Sequence, residues 1–311
     1  MNEIKVTLAD VCAPDRLLRA WRKVKANAGM PGVDGESIRD FGERLDENLD
    51  AVRRAVLTGQ YRPLAVRRIW RPKADGGRRP IAILALRDRI VQRAMHEALA
   101  PVFERQFLPC SVGYREGQGV PDAVARIIAG RRQGLRWVVD GDIDKCFDSL
   151  DHGLLLNLVG REVRDRAVLK LIDAWLNAEV LNDLTPASHQ QPAAGTPQGG
   201  AVSPLLANIY LHVFDTAMTR ARQVLTRYAD DWVVLCASEA QARSALDLAR
   251  SELRKIGLNV NLHKTRVTTF EHGFCFLGVF FLRDEHFYLS PGAAPNRDPA
   301  VITAARRAEW R

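Results

Sequence analysis

No apolar run in this 311-residue chain approaches the length of a membrane-crossing helix. The first residues, Met-Asn-Glu-Ile-Lys, carry no signal-type hydrophobic stretch. Five cysteines (Cys12, Cys110, Cys146, Cys236, Cys275) are scattered, odd in number and without a C-x-x-C pair. That spacing argues against a disulfide framework or a zinc site and for a reducing cytoplasm, and with no membrane-length apolar run no membrane partner is expected. Internal repeats and low-complexity tracts are also missing, which excludes a solenoid or a disordered linker protein.

What is present is the profile of a globular protein, with 47% apolar and 26% charged residues, long enough for two or three subdomains. The net charge is +8 and the pI about 9.5. Residues 62–93 hold ten basic side chains (Arg62, Arg67, Arg68, Arg71, Lys73, Arg78, Arg79, Arg87, Arg89, Arg93) against Asp75 and Asp88, so this one stretch matches the whole excess. A solvated face usually mixes both signs, so the clustering favours a phosphate-binding surface and a nucleic-acid partner.

Two acidic stretches stand out. Thr226-Arg-Tyr-Ala-Asp-Asp-Trp-Val-Val-Leu235 sets Asp230 and Asp231 between strand formers, the pattern of a hairpin with carboxylates at its tip. Alone, the pair is either a solvated turn or a cation holder. Upstream, Trp137-Val-Val-Asp-Gly-Asp-Ile-Asp-Lys-Cys-Phe-Asp148 starts as a buried strand and then places Asp140, Asp142 and Asp144 at period two. Three like charges on one strand face repel unless water or a cation relieves them, which adds weight to a metal.

Around these stretches the pattern predicts helices over 8–28, 37–57, 87–107 and 121–132, then 154–159 and 164–177, and later 203–218 and 239–256. Asp75-Gly-Gly77 between two apolar runs predicts a cationic hairpin with strands 66–70 and 79–83. Residues 185–201, with three prolines and three glycines, read as loop, and Ser203-Pro204 opens a helix with an oxygen cap. An extended segment follows at 258–267, then an aromatic strand pair around Gly278, and the stretch 290–311 has little to bury. Helices first, then strands with intervening helices, suggest an α+β layer with an antiparallel sheet.

Taken in order, the acidic strand 137–148, the Pro197-Gln-Gly199 loop entering a helix, the Tyr228-Ala-Asp-Asp231 hairpin, the Gly257-Leu…Lys264-Thr segment and Phe276-Leu-Gly278 resemble the reverse transcriptases of the group II intron lineage. The resemblance covers roughly Asn27 to Phe281. It implies a right-hand polymerase fold: a helical N-terminal extension over 1–60, fingers over 61–136, and an antiparallel palm over 137–290 with an insertion at about 153–195. A tail or truncated thumb start would occupy 291–311. The blocks 87–94, 107–111 and 227–236 look most like CRISPR-associated reverse transcriptases, and an intron-like or phage-defence enzyme fits nearly as well.

By the same resemblance, Asp142, Asp230 and Asp231 are the catalytic carboxylates. They would hold two Mg²⁺ ions (Mn²⁺ substituting) with the Ile143 carbonyl as a further ligand and Lys264 as general acid for pyrophosphate. Lys73 and Arg79 would clamp the triphosphate, Gln198 and Tyr228 would face the nucleotide, and Phe147 would bar a 2′-hydroxyl, although on chain evidence alone Phe147 could equally be a core aromatic. Arg67, Arg68, Arg71 and Arg115 are the expected nucleic-acid contacts. The substrates would be dNTPs, an RNA template and a DNA or RNA primer. The missing thumb would be supplied by a partner such as intron RNA or a CRISPR adaptation integrase. Gly200 departs from the family, which commonly has serine there, and Ser111-Val-Gly-Tyr-Arg-Glu-Gly117 is a loosened version of its Ser-Tyr-Gly-Phe-Arg-Pro-Gly loop. A polymerase-shaped RNA-binding or assembly module with little synthesis is the alternative.

Overall fold

The structure is a computed structural model that describes residues 6–72, 78–182, 185–190 and 194–289. Its elements run α1 (Leu8–Val11), α2 (Pro14–Ala26), α3 (Ile38–Glu43), α4 (Leu45–Leu57), β1 (Val66–Pro72), β2 (Arg78–Ile83), α5 (Leu86–Phe103) and α6 (Val120–Arg132). Then come β3 (Trp137–Asp142), a short 3₁₀ turn (Cys146–Asp148), α7 (His152–Gly160), α8 (Arg166–Leu176), β4 (Val180–Asn182), β5 (Thr185–Gln190) and α9 (Ser203–Arg220). These are followed by β6 (Val224–Tyr228), β7 (Asp231–Cys236), α10 (Glu239–Lys255), β8 (Arg266–Thr269), β9 (Phe274–Phe276), β10 (Val279–Leu282) and β11 (Glu285–Tyr288). No helix among the described residues is long and apolar enough to cross a membrane.

The chain divides into two compact units. Among the described residues, the first comprises those within 6–71, 79–107 and 147–210, and the second Pro72, Arg78 and those within 108–146 and 211–289. The first unit is helical around a sheet of order β2-β1-β4-β5. Here β4 joins β1 in parallel, pairing Val66 with Val180, and Val66, Leu84 and Val180 form a small apolar cluster. A buried polar knot ties α5 to the chain entering β1. Asp88 accepts the Tyr61 hydroxyl and the Leu64 N–H at 3.0 Å, and the Trp175 indole N–H reaches the Tyr61 oxygen at 3.3 Å.

The second unit is built on an antiparallel sheet of order β6-β7-β3-β8. Alternation sorts its strands: Val138, Val233 and Leu235 face a core completed by α6 residues Ala123, Val124 and Ile127 and by Phe270, Phe274, Phe276 and Phe281. Helix α10 packs against β3, β7 and β8. Its buried residues Ala242, Ala245, Ala249 and Leu253 recur at helical spacing.

Four expectations need correcting. The helix expected over 8–28 breaks at Ala13, whose extended backbone is what a following proline imposes, and Pro14 starts α2. The helix over 37–57 breaks at Arg44. The loop expected at 185–201 begins as strand β5; Pro186 is tolerated because β5 lies at the sheet edge. The 258–267 segment is not continuously extended: Val260 bridges Ile143 in antiparallel fashion, residues 262–264 form a turn, and the strand starts only at Arg266. The tip of the cationic hairpin, including Lys73, and the stretch 290–311 lie outside the described residues.

Candidate active site

Asp142, Asp230 and Asp231 of the second unit come together at one end of its sheet. Cross-strand register places Asp142, the last residue of β3, directly opposite Asp231, the first of β7. Tyr228 pairs with Asp231 on the other side, leaving Ala229 and Asp230 as a two-residue loop. Ala229 has φ of 55°, in the left-handed region. A positive φ at the first loop position alone is the sign pattern of a type II′ turn, where glycine is usual and alanine costs roughly 1–2 kcal/mol. The loop is docked onto β3 by the Ile143 N–H, which donates to the Asp230 carbonyl at 3.1 Å. All three carboxylates therefore hang from one hydrogen-bonded framework.

Like charges directly across a sheet are destabilising, and protein cations relieve part of the charge here. Arg266, the register partner of Asp140, lies 3.3 Å from its carboxylate. The ammonium of Lys264, whose side chain is 43% exposed, lies 2.9 Å from Asp142. The Asp142 N–H donates to Thr265 at 3.2 Å, and the Asp142 carbonyl accepts from Asn261 at 2.8 Å. Asp144 does not share the face of Asp140 and Asp142, because β3 ends at Asp142 and Asp144 is exposed in the following turn. There the backbone turns through Lys145 at a φ of 44°.

The donor set is oxygen-rich, which fits a hard divalent ion. Among the described residues, no three His, Cys, Asp or Glu side chains are gathered as an all-protein cage would need. Mg²⁺ does not require one, since it is commonly held by one or two carboxylates, waters and substrate phosphates.

Tyr228 is half-buried, and its ring lies 5.7 Å from that of Tyr114, which is exposed. Gly113 sits so close behind the turn that an added Cβ would fall 2.7 Å from the Ala229 nitrogen. Arg115 braces its own loop, donating to the Leu108 and Ser111 carbonyls at 3.0 and 2.8 Å.

The first unit assembles a second group of sequence-predicted residues. Phe147 is half-buried in the 3₁₀ turn rather than on a strand. The Thr196 N–H donates to the Phe147 carbonyl at 2.7 Å, and the Ala82 N–H of β2 donates to the Gln198 carbonyl at 2.7 Å. Gly199 is required here: its φ is 132°, and a Cβ would lie 2.4 Å from the Ala82 oxygen. A serine at position 200 would require its neighbours to shift, because a Cβ on Gly200 would meet the Ser203 hydroxyl at 2.6 Å and the Gln92 side-chain oxygen at 2.7 Å. That Ser203 hydroxyl accepts from Thr196 and donates to the Pro197 carbonyl. A cavity of about 40 Å³ is lined by Arg68, Asp148, Pro197 and Gln198, among others. Arg79 and Arg71 are exposed on β2 and β1, and Arg67 and Arg68 are half-buried on β1.

Sequence reasoning missed a buried ion pair behind the hairpin, Arg227 with Asp215, in which no side-chain surface of either residue is exposed. Burial disfavours the Arg227 charge, but Asp215 more than offsets this and holds it above the ordinary arginine range. The available signal was a charged residue at each of two positions, within β6 and on the apolar stripe of α9, where the pattern calls for apolar ones.

A reverse transcriptase (RNA-dependent DNA polymerase) family model matches residues 71–281. The chain belongs to this family. Protein YkfC of Escherichia coli K12 is 32% identical over 320 residues, covering 89% of this chain and 83% of that protein. The group II intron-encoded protein LtrA of Lactococcus lactis subsp. cremoris is 31% identical over 217 residues, 69% of this chain. That match spans only 35% of LtrA's own length. A solved partial Cas6-RT-Cas1–Cas2 complex is alike at a TM-score of 0.48 and 23% identity, over 80% of this chain and 41% of that one. The α+β class and the antiparallel sheet read from the sequence are those observed, and the family is one that uses divalent metal ions.

Proposed function

We propose that the chain extends a primer 3′-hydroxyl with deoxynucleotides on an RNA template, using Asp142, Asp230 and Asp231 as its catalytic carboxylates. The observation that carries this reading is the register pairing of Asp142 with Asp231 beside the Asp230 turn. A sheet that only had to fold would not gather these charges at one end. Two Mg²⁺ ions, when bound, would lower the pKa of the primer hydroxyl and shield the triphosphate and the leaving pyrophosphate. The chain's own contribution is placement. Asp142, Asp230 and Asp231 would hold those ions, with the Ile143 carbonyl as a further hard oxygen. Lys264 delivers positive charge to the same place and donates a proton to pyrophosphate.

In the first unit, Gln198 faces the incoming nucleotide, and the Phe147 ring occupies the space a 2′-hydroxyl would need. Arg79, with Lys73, grips phosphate. The substrates are dNTPs and an RNA strand carrying an annealed DNA or RNA primer, bound through arginines such as Arg67, Arg68 and Arg71. Primer extension tests this directly. Asp230→Asn should abolish incorporation on primed RNA while leaving the circular dichroism spectrum and melting temperature near those of the parent. Undiminished incorporation would refute the assignment.

A further inference from the structure

Arg227, immediately before the Tyr228-Ala-Asp-Asp231 turn, is a fully buried charged side chain. Its Nε and Nη2 donate in bidentate fashion to the two carboxylate oxygens of Asp215 on α9, each at 2.6 Å. Nη2 also donates to the Ser111 hydroxyl at 2.7 Å, and Nη1 donates to the Ala229 carbonyl at 3.0 Å. One planar fork therefore ties a helix, a loop and the catalytic turn together. The same residue's backbone repeats the tie, since its N–H donates to the Cys110 carbonyl at 2.7 Å and its carbonyl accepts from Val112 at 2.9 Å.

What makes this more than packing is the acceptor. Ala229 is the residue held at a φ of 55°, 5% exposed, and its left-handed conformation decides where Asp230 and Asp231 point. An alanine there relaxes toward negative φ unless its surroundings prevent it. Gly113 closes the space behind the turn, Ile143 fixes the Asp230 carbonyl, and Arg227 fixes the Ala229 carbonyl.

We infer that Arg227, oriented by Asp215, is a positioning residue for catalysis: it holds the strained Ala229 turn in the conformation that aims the two carboxylates. The inference rests on the polymerase reading above. Lysine cannot replace arginine in this role, because a single ammonium lacks the rigid fork that meets Asp215, Ser111 and Ala229 together.

The test compares the whole chain with Arg227→Lys, Arg227→Lys/Ala229→Gly and Ser111→Ala in single-nucleotide incorporation on primed RNA. Melting temperatures are recorded for each protein. Arg227→Lys should lower kcat by on the order of 100-fold, the penalty for a small misplacement of reacting groups. Its KM for dNTP should stay within about twofold, because the substrate contacts are untouched. Glycine adopts positive φ without strain, so Ala229→Gly should return at least about fivefold of the lost kcat. A purely structural ion pair predicts no such rescue. Wild-type kcat in folded Arg227→Lys, or a loss unchanged by glycine at 229, would overturn the inference. Should Arg227→Lys fail to fold, Ser111→Ala decides, because it leaves the ion pair intact and removes one anchor. A several-fold fall in kcat supports the inference, and an unchanged kcat overturns it. A wild-type protein inactive with every template and divalent ion would instead refute the polymerase reading, and this inference with it.

Discussion

Gly141→Ala is a one-carbon change beside the carboxylates whose consequences can be worked through. Gly141 precedes Asp142 on β3 and lies in register with Trp232, the residue after Asp231. The indole of Trp232 crosses directly over the glycine, so that a Cβ at 141 would sit 2.3 Å from two ring carbons and 2.7 Å from a third. Carbon atoms rest about 3.5–4.0 Å apart, so relief needs a displacement of roughly 1 Å or more. The ring has little freedom to move: Trp232 is fully buried and meets Phe214 edge-on with centroids 5.8 Å apart. Overpacking of this kind costs about 2–3 kcal/mol. At about 2–4 °C per kcal/mol, the melting temperature should fall by about 5–10 °C. The kinetic effect should be larger. Parting β3 from β7 separates Asp142 from Asp231, and a 1 Å misplacement costs about 100-fold in rate. Single-turnover incorporation should show that loss with little change in dNTP affinity. Trp232→Phe, which lacks the offending outer ring, should partly rescue the alanine variant, with a coupling of about 1 kcal/mol or more in a double-mutant cycle. Full activity in Gly141→Ala, or additive effects of the two substitutions, would refute this reasoning.

Removing the Lys264 ammonium should unmask Asp142. An exposed pair of this kind is worth about 1 kcal/mol or less, so Lys264→Met should tighten Mn²⁺ or Mg²⁺ binding by up to about fivefold in calorimetry even as incorporation slows; weaker binding would argue against competition for the carboxylate. Phe147→Ala should relax discrimination against ribonucleotides by on the order of 10–200-fold, the range that pocket sterics supply; an unchanged dNTP preference would return Phe147 to a packing role. In the first unit, burial raises the Asp88 carboxyl above the ordinary carboxylate range, against hydrogen bonds from Tyr61 and Leu64 that lower it. The folded state then holds this proton more tightly than the unfolded one, so Asp88 favours the native state at low pH and loses that advantage as pH rises through its folded value. The melting temperature of the parent minus that of Asp88→Asn should therefore decline from about pH 3 to pH 7, and a flat or rising difference would contradict it.

Much of this protein is legible in its residues because the signals are local. Strand and helix periodicity located β3, β7, α5, α9 and α10 to within a few residues, and the glycine-rich punctuation marked the turns. The acids announced themselves by their spacing, because carboxylates gathered among strand formers need a reason. The misreadings fall where distant partners intervene. Strand β5 exists because β4 pairs with β1 more than a hundred residues away, and no periodicity in 185–190 encodes that pairing. Asp140, Asp142 and Asp144 looked equivalent at period two, yet Arg266 takes the first, Lys264 meets the second, and the chain turns before the third.

By itself, then, the sequence marked candidate residues for chemistry, through motifs that resemble a known family, and most of the stretches that are strand or helix, which depend on neighbours a few positions away. Only the tertiary structure decided that Asp142 faces Asp231, that Trp232 lies across Gly141, and that Arg227 reaches Asp215, Ser111 and Ala229 at once. Most of those relations join segments far apart along the chain, and even the short-range one between Arg227 and Ala229 depends on a side chain fixed by Ser111 and Asp215; the energy that selects them comes from burial and hydrogen bonding available only after the sheet has formed.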